Sequence, residues 1–179
     1  VVGRVVAHKG VLPAIRDLEW LLDDYPSARL FIVGSIEADP GFVKELREYI
    51  RFHNLDRSVQ LTGKVSEWRL RRLYRNSHVL LTLSSHEGFC VPLLEAMRFG
   101  LGVVALRSGA IPETLGEGGL FVDNRERDTV ATALKRLFQD RGLASQFREQ
   151  QRQELGRFSC QRFEELFFGS LETQPRSKS

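Results

Sequence analysis

The 179-residue sequence predicts a doubly wound, mostly parallel α/β sheet of about six strands with helices on both faces. Two observations carry that prediction. Short, β-branched apolar runs recur with little polar alternation, as expected of parallel strands buried on both sides. Amphipathic helical patterns fall between these runs almost to the end, the arrangement that right-handed crossovers build into a parallel sheet.

The elements follow in order. Val1–Val6 is the first strand candidate and Leu12–Asp24 the first helix, with Pro13 near its start. Arg29–Gly34 is the second strand; in Gly41–Phe52, residues Phe42, Leu46, Tyr49 and Ile50 keep helical spacing. Ser58–Thr62 leads to a helix over Glu67–Asn76, for which Ser66 is a suitable N-cap because its hydroxyl can accept from a first-turn N–H. His78–Leu83 is followed by Pro92–Phe99, where Pro92 suits a first helical position and Gly100 stops the helix. Val103–Leu106, a short helix after Pro112 and Gly119–Val122 complete the alternating part. The pattern then turns all helical: Arg125–Gln139, Leu143–Leu155, and Gln161–Ser170 behind Ser159. The polar tail Glu172–Ser179 is expected to be disordered. No repeat or linker interrupts the chain, so one domain is expected. The sequence opens on Val1 rather than Met and reads as a piece of something longer.

Composition narrows the function. Hydrophobic content of 42% and charged content of 27% are those of an ordinary globular domain. The net charge of +3 is small and both signs are interspersed, with no basic stripe carrying interleaved aromatics, which argues against a nucleic-acid partner. Arg69, Arg71 and Arg72 read as the solvated face of a helix. Two cysteines and four scattered histidines offer neither a disulfide framework nor metal-ligand spacing. No apolar run approaches the ~18 residues of a membrane span, and no signal peptide is visible.

Chemistry is concentrated in the loops that follow strands, where open α/β sheets bind ligands. Gly3 to Gly10 (G-R-V-V-A-H-K-G) joins the first strand to the first helix. Its glycines permit a close backbone approach, and Arg4 and Lys9 supply a guanidinium fork and a point charge suited to a diphosphate. An ordinary loop with solvated basic residues reads the same way, and the segment is neither a Walker loop nor G-x-G-x-x-G. Glu87 to Glu95 (E-G-F-C-V-P-L-L-E) places one acid in a loop and a second in the first turn of a helix. Glu95 lies among Leu93, Leu94, Ala96 and Met97, so partial burial is expected, and a buried carboxylate needs donors. The two hydroxyls of a ribose would supply them, although a first-turn acid paired with Arg98 is the plainer alternative. The backbone N–H groups of Gly88, Phe89, Cys90 and Val91 precede a helix and suit phosphate or sugar oxygens. Cys90 reads as a packing residue rather than a nucleophile, with a base such as His86 left open. Glu113, after Pro112, reads as a helix cap.

Together these segments resemble the retaining glycosyltransferases of the GT-B fold, family 4, with their E-x7-E motif. The resemblance runs from Val1 to about Leu171. It rests on V-G-R-x4-K-G at Val2–Gly10, F-I-V-G at Phe31–Gly34, V-x-L-T-G-x-V-S at Val59–Ser66 and L-Y-x-N-S-x-V at Leu73–Val79. It continues through S-x-x-E-G-F-x-V-P-L-L-E-A-M at Ser84–Met97, G-A-I-P-E-T-L-G at Gly109–Gly116 and G-G-L-F-V at Gly118–Val122.

The resemblance implies one half of a two-domain architecture. Residues 1–171 would be a Rossmann-like, carboxyl-terminal donor-binding domain, residues 172–179 a tail, and the amino-terminal acceptor domain absent. It implies transfer of a hexose from a nucleotide diphosphosugar with retention, with no cofactor and no metal. Arg4, Lys9 and Glu87 would form the catalytic set, Arg4 and Lys9 on the diphosphate and Glu87 on the hydroxyls of the sugar. Glu95 would hold the ribose. Gly3, Gly88, Phe89, Cys90 and Val91 would line the donor, and Lys64 and Val65 would contact the base through the main chain. A saccharide or glycolipid acceptor would enter through the missing domain, with a cytoplasmic location that includes peripheral association at the inner membrane face. A non-catalytic nucleotide-sugar binding module and a GT-B sugar-nucleotide epimerase remain alternatives. Two features depart from the family: Cys90 stands where Gly is common, and the amino-terminal domain is missing, which would leave the apolar positions Phe163, Leu166 and Phe167 of the last expected helix without part of their partner.

Overall fold

The computed structural model describes residues 1–158 and realises the alternation as two parallel ladders flanked by helices. Strands β1 (Leu30–Val33) and β2 (Val59–Gly63) pair with each other. Strands β3 (Val79–Thr82), β4 (Gly102–Leu106) and β5 (Leu120–Val122) pair in that order. The helices are α1 (Val11–Leu21), α2 (Pro40–Phe52), α3 (Glu67–Arg75), α4 (Val91–Arg98), α5 (Ile111–Leu115), α6 (Arg127–Gln139) and α7 (Arg141–Arg157). The helix expected over Gln161–Ser170, the tail and Cys160 lie outside the described residues. No helix among the described residues is long and apolar enough to cross a membrane.

The expected sheet of about six strands is corrected at its first member. Val1–Val6 is not a strand; Val2 alone bridges Val33. The segment stays beside β1 through Gly3 N–H to Val33 O at 2.8 Å and Val5 N–H to Ser35 O at 2.9 Å. Gly3, at φ 144°, leaves the strand region, and the Val6 N–H turns back onto Arg4 O at 3.1 Å. The segment therefore peels away before a ladder can form, and a 3₁₀ turn over Ala7–Lys9 carries it into α1.

Strand β4 explains why the apolar runs lack polar alternation. Val103 and Ala105 pack into the cluster containing Leu93, Leu94, Met97, Ile111 and Leu115 of α4 and α5. Val104 and Leu106 pack into the opposite cluster with Ala14 and Leu21 of α1 and Val130, Leu134 and Leu137 of α6. Alternate side chains leave opposite faces of a strand, and here both faces are covered. A third cluster joins Val11, Ile15 and Leu18 of α1 to Ile32 of β1 and Val43, Leu46 and Ile50 of α2.

Helix α7 closes the face that carries α4 and α5. Its Gln151 is fully buried, and Nε2 donates to Leu101 O at 2.9 Å and Gly118 O at 2.8 Å, the turns that feed β4 and β5. Ser66 caps α3 by accepting from the Arg69 N–H.

Glycine is required where the first segment crosses β1. A Cβ on Gly34, which has φ 142°, would lie 1.9 Å from Gly3 O. Gly34→Ala therefore forces the two backbones apart and strains its own, and is expected to cost about 3 kcal/mol or more in denaturant unfolding. Gly156→Ala, in α7 with nothing within 4 Å of the added carbon, should instead stabilise by about 0.5–1 kcal/mol.

Candidate functional site

The turn Ala7–Lys9 and the loops after β3 and β4 meet at the carboxyl ends of the strands. The backbone fixes how. A Cβ on Gly10, at φ 71°, would lie 2.4 Å from Leu83 O, so the chains cross at a distance only glycine permits. His8 O accepts from the Ser85 N–H at 3.0 Å, tying the first segment to the loop that carries Glu87. Gly109, at φ 52°, sits against Glu87 O, which also accepts from the Ala110 N–H at 3.2 Å.

Two of the expected site residues, 78 positions apart in sequence, come into contact. Lys9 Nζ donates to Glu87 Oε1 at 2.5 Å, with 17% and 15% of the two side chains exposed. At that burial the attraction is only partly screened by water, which separates it from an ordinary surface ion pair. The Lys9 stem passes 3.9 Å from where a side chain on Gly3 would begin. The Gly3 N–H itself is engaged with Val33 O, so what Gly3 offers the site is the room its missing side chain leaves. Arg4 is exposed and makes no ion pair among the described residues.

The loop after Glu87 enters α4. Cys90 occupies the N-cap position with φ −62°, a value open to any residue, so the exchange from the family's usual glycine does not strain the turn. No side chain caps α4; Val91 is its first residue, Pro92, its second, has no N–H, and the Leu93 N–H donates to Cys90 O at 2.9 Å, so the Val91 N–H is the first-turn donor nearest the loop. A side chain on Gly88 would meet nothing within 4 Å, and Phe89 is 42% exposed with its ring edge-on to Phe158. The Cys90 thiol is 4% exposed; burial first and the Glu87 carboxylate second push it up to about 11, against weaker opposition from a Leu93 backbone hydrogen bond, then Lys9 and a hydrogen bond with Thr82. His86 is exposed with its Nδ1 3.3 Å from Ser85 Oγ, and among the described residues it shares no hydrogen bond with Cys90. Cys90 is therefore a packing residue.

Glu95 is the fifth residue of α4, one residue deeper than the first-turn position expected from sequence, because the helix starts at Val91 rather than Pro92. It is 8% exposed, and Tyr74 Oη donates to its Oε2 at 2.7 Å. Burial raises its pKa, the Tyr74 hydrogen bond lowers it, and Glu67 and Arg71 oppose each other more weakly. Glu67, Arg71 and Tyr74 form one stripe of α3, so the carboxylate faces that helix. Lys64 and Val65 lie immediately before α3; the Lys64 side chain points outward to Glu37 Oε2 at 3.8 Å, leaving its backbone at the carboxyl end of β2. Glu113 stands in the first turn of α5, whose N-cap is Ala110 without a side-chain bond, so Glu113 is not the cap expected.

Sequence reasoning misses two residues. Tyr74 enters the sequence reading only as part of the L-Y-x-N-S-x-V segment, with no role; that it donates to Glu95 needs the packing of α3 on α4. Arg125, expected to open a helix, lies just before α6. Its Nε donates to Leu83 O at 2.8 Å and its Nη2 to His8 O at 2.8 Å. No local signal marks it. Among the described residues no group of three or more His, Cys, Asp or Glu side chains is gathered as metal ligands would be.

The sequence profile described as "Glycosyl transferases group 1" matches residues 1–154. The D-inositol 3-phosphate glycosyltransferase of Corynebacterium jeikeium is 29% identical over 179 residues, 97% of this chain and 43% of that protein. The carboxyl-terminal domain of a glycosyl transferase group 1 family protein (LpcC) from Francisella tularensis superposes with a TM-score of 0.73 at 25% identity, over 97% of this chain and 85% of that one. Anabaena Alr3699/HepE, crystallised with UDP-glucose, gives 0.80 at 22% identity, over 97% and 48%. The chain spans less than half the length of the curated relatives it matches, between 23% and 43% for three of them.

The Cys90 environment is directly testable. In a Cys160→Ser background, thiolate absorbance should appear with a midpoint near pH 11 and thiol reagents should react slowly at pH 8. Because the folded thiol holds its proton more tightly than the usual value of 9.0, stability should be constant below about pH 9 and fall as pH rises toward 11. A titration midpoint near 8.5 would show the thiol to be solvated.

Proposed function

The chain belongs to the group 1 glycosyl transferases, and we propose that it binds the nucleotide diphosphosugar of a retaining, metal-independent hexosyl transfer. The observation that carries this reading is the Lys9–Glu87 pair beside the uncapped start of α4, with the buried Glu95 carboxylate one turn further along. The arrangement has three chemically distinct parts, and they match the three parts of such a donor. Nucleotide sugars suit the relatives as well: the Anabaena protein was crystallised with UDP-glucose.

Glu95 accepts one hydrogen bond from Tyr74 through Oε2, and no bond to Oε1 is formed among the described residues. A ribose diol reaching that carboxylate supplies the donors its burial demands. Gly63 to Val65, before α3, offer main-chain groups to the base. Departure of the nucleoside diphosphate develops negative charge on the β-phosphate. Lys9, Arg4 and the start of α4 at Val91 stabilise it from fixed positions, in the part otherwise taken by a divalent cation. Glu87, already holding the Lys9 ammonium, accepts from the hydroxyls of the sugar and keeps that ammonium aimed at the phosphate. An additional amino-terminal domain brings the saccharide or glycolipid acceptor to the open side of the cleft, in a protein associated peripherally with the membrane where the acceptor is a lipid.

Titration of the protein with UDP, GDP and ADP and their hexose conjugates tests the donor half. One nucleotide should bind, and Glu95→Ala should weaken it by roughly 1.5–3 kcal/mol, the range for a hydrogen bond to a charged group. Equal affinity in the two proteins would remove Glu95 from the site. In the complete enzyme, Lys9→Ala should lower kcat more than it raises KM, because the ammonium acts on charge that appears only as the leaving group departs. An unchanged kcat with a raised KM would assign Lys9 to ground-state binding alone.

A further inference from the structure

We propose that Arg125 is a positioning residue that sets the placement of Lys9 against Glu87 by clamping together the two backbone segments that carry them. The proposal rests on the nucleotide-sugar reading for its functional consequence, though not for its geometry. Lys9 lies between His8 and Gly10. His8 O takes the Arg125 Nη2 donor at 2.8 Å and the Ser85 N–H at 3.0 Å. Leu83 O takes the Arg125 Nε donor at 2.8 Å, on the carbonyl that Gly10 crosses. One guanidinium thus holds both chains that bracket the ion pair.

The clamp is needed because no strand ladder does this work. The β1–β2 and β3–β5 ladders are separate, and the first segment bonds to β1 through Val33 and Ser35. Toward the β3 side, the contacts at the carboxyl end run through His8 O and Leu83 O. Arg125 is presented by a turn in which Asn124 Oδ1 accepts the Glu126 N–H at 3.0 Å. It is partly buried, and burial lowers its pKa, so its donors are not freely exchanged with water. A planar fork can reach two carbonyls at once, which a lysine ammonium on a flexible stem does poorly. Glu95 and Tyr74 belong to a different pair of elements, α4 and α3, and share no hydrogen bond with Arg125. The diphosphate end of the site therefore depends on Arg125 and the nucleoside end does not.

Two measurements on Arg125→Ala and Arg125→Lys test this, with Arg107→Ala as the control for loss of one positive charge, since Arg107 pairs with Asp123 and lies over Phe121, away from His8 and Leu83 O. Amide hydrogen exchange reads the clamp without any ligand. The Ser85 amide should exchange about tenfold faster in Arg125→Ala, less so in Arg125→Lys, and as in the parent in Arg107→Ala. Unchanged Ser85 protection in Arg125→Ala would overturn the proposal. Binding reads the consequence. For whichever of UDP, GDP or ADP binds the parent, Arg125→Ala should weaken the diphosphate by about 10- to 100-fold and leave the corresponding nucleoside within about twofold. Equal losses for both ligands, or the same loss in Arg107→Ala, would overturn it. Should none of the three bind the parent protein, the donor reading fails and the exchange result alone decides the clamp.

Discussion

The structure depends on one constraint: its two parallel ladders are joined by a segment that is not itself a strand. Residues Gly3 to Gly10 run between them, held to β1 by Val33 and Ser35 and to the loop after β3 by Ser85. Backbone crossings at Gly34 and Gly10 leave no room for a Cβ, so the two halves approach as closely as main chain allows. This seam also carries the candidate site. The same closeness that unites the ladders brings Lys9 to Glu87, at the carboxyl ends of the strands where open α/β sheets bind ligands.

The site divides into two electrostatic environments. At the seam, opposite charges satisfy each other at a modest exposure, and both stay available to a ligand that can replace one partner. On α4, the Glu95 carboxylate is nearly enclosed among leucines and relies on a neutral hydroxyl, so burial outweighs its hydrogen bond and the proton is held more tightly. A nucleotide sugar would meet both kinds of group along its length. Cys90 lies between them, and its thiol is silenced by the burial that makes Glu95 unusual and by the Glu87 charge.

Much of this is legible in sequence, for identifiable reasons. Strands such as Val103–Leu106 are buried on both faces and so announce themselves as unbroken apolar runs, and Ser66 is legible as a cap because the requirement is local. Glu95 is readable as buried from its neighbours, although the helix starts one residue early and places it just past the first turn. The first segment misleads because Val1–Val6 has strand composition, while its backbone is decided by Gly3 and by the crossing at Gly34. Tyr74 and Arg125 are invisible because their roles are set by partners 21 and 117 positions away. Spacing within a motif carries local geometry; it carries no information about which remote side chain completes it.

The contact between Arg125 and His8 has a consequence for synthesis. Its partners are separated by 117 residues, and the Lys9–Glu87 pair by 78. A chain made from its amino terminus meets its own site late: the β1–β2 half can form while the second ladder is still being translated, but the seam stays open until β5 has emerged and the turn after it has closed. The last part of the alternating sequence to leave the ribosome is the part that locks the first.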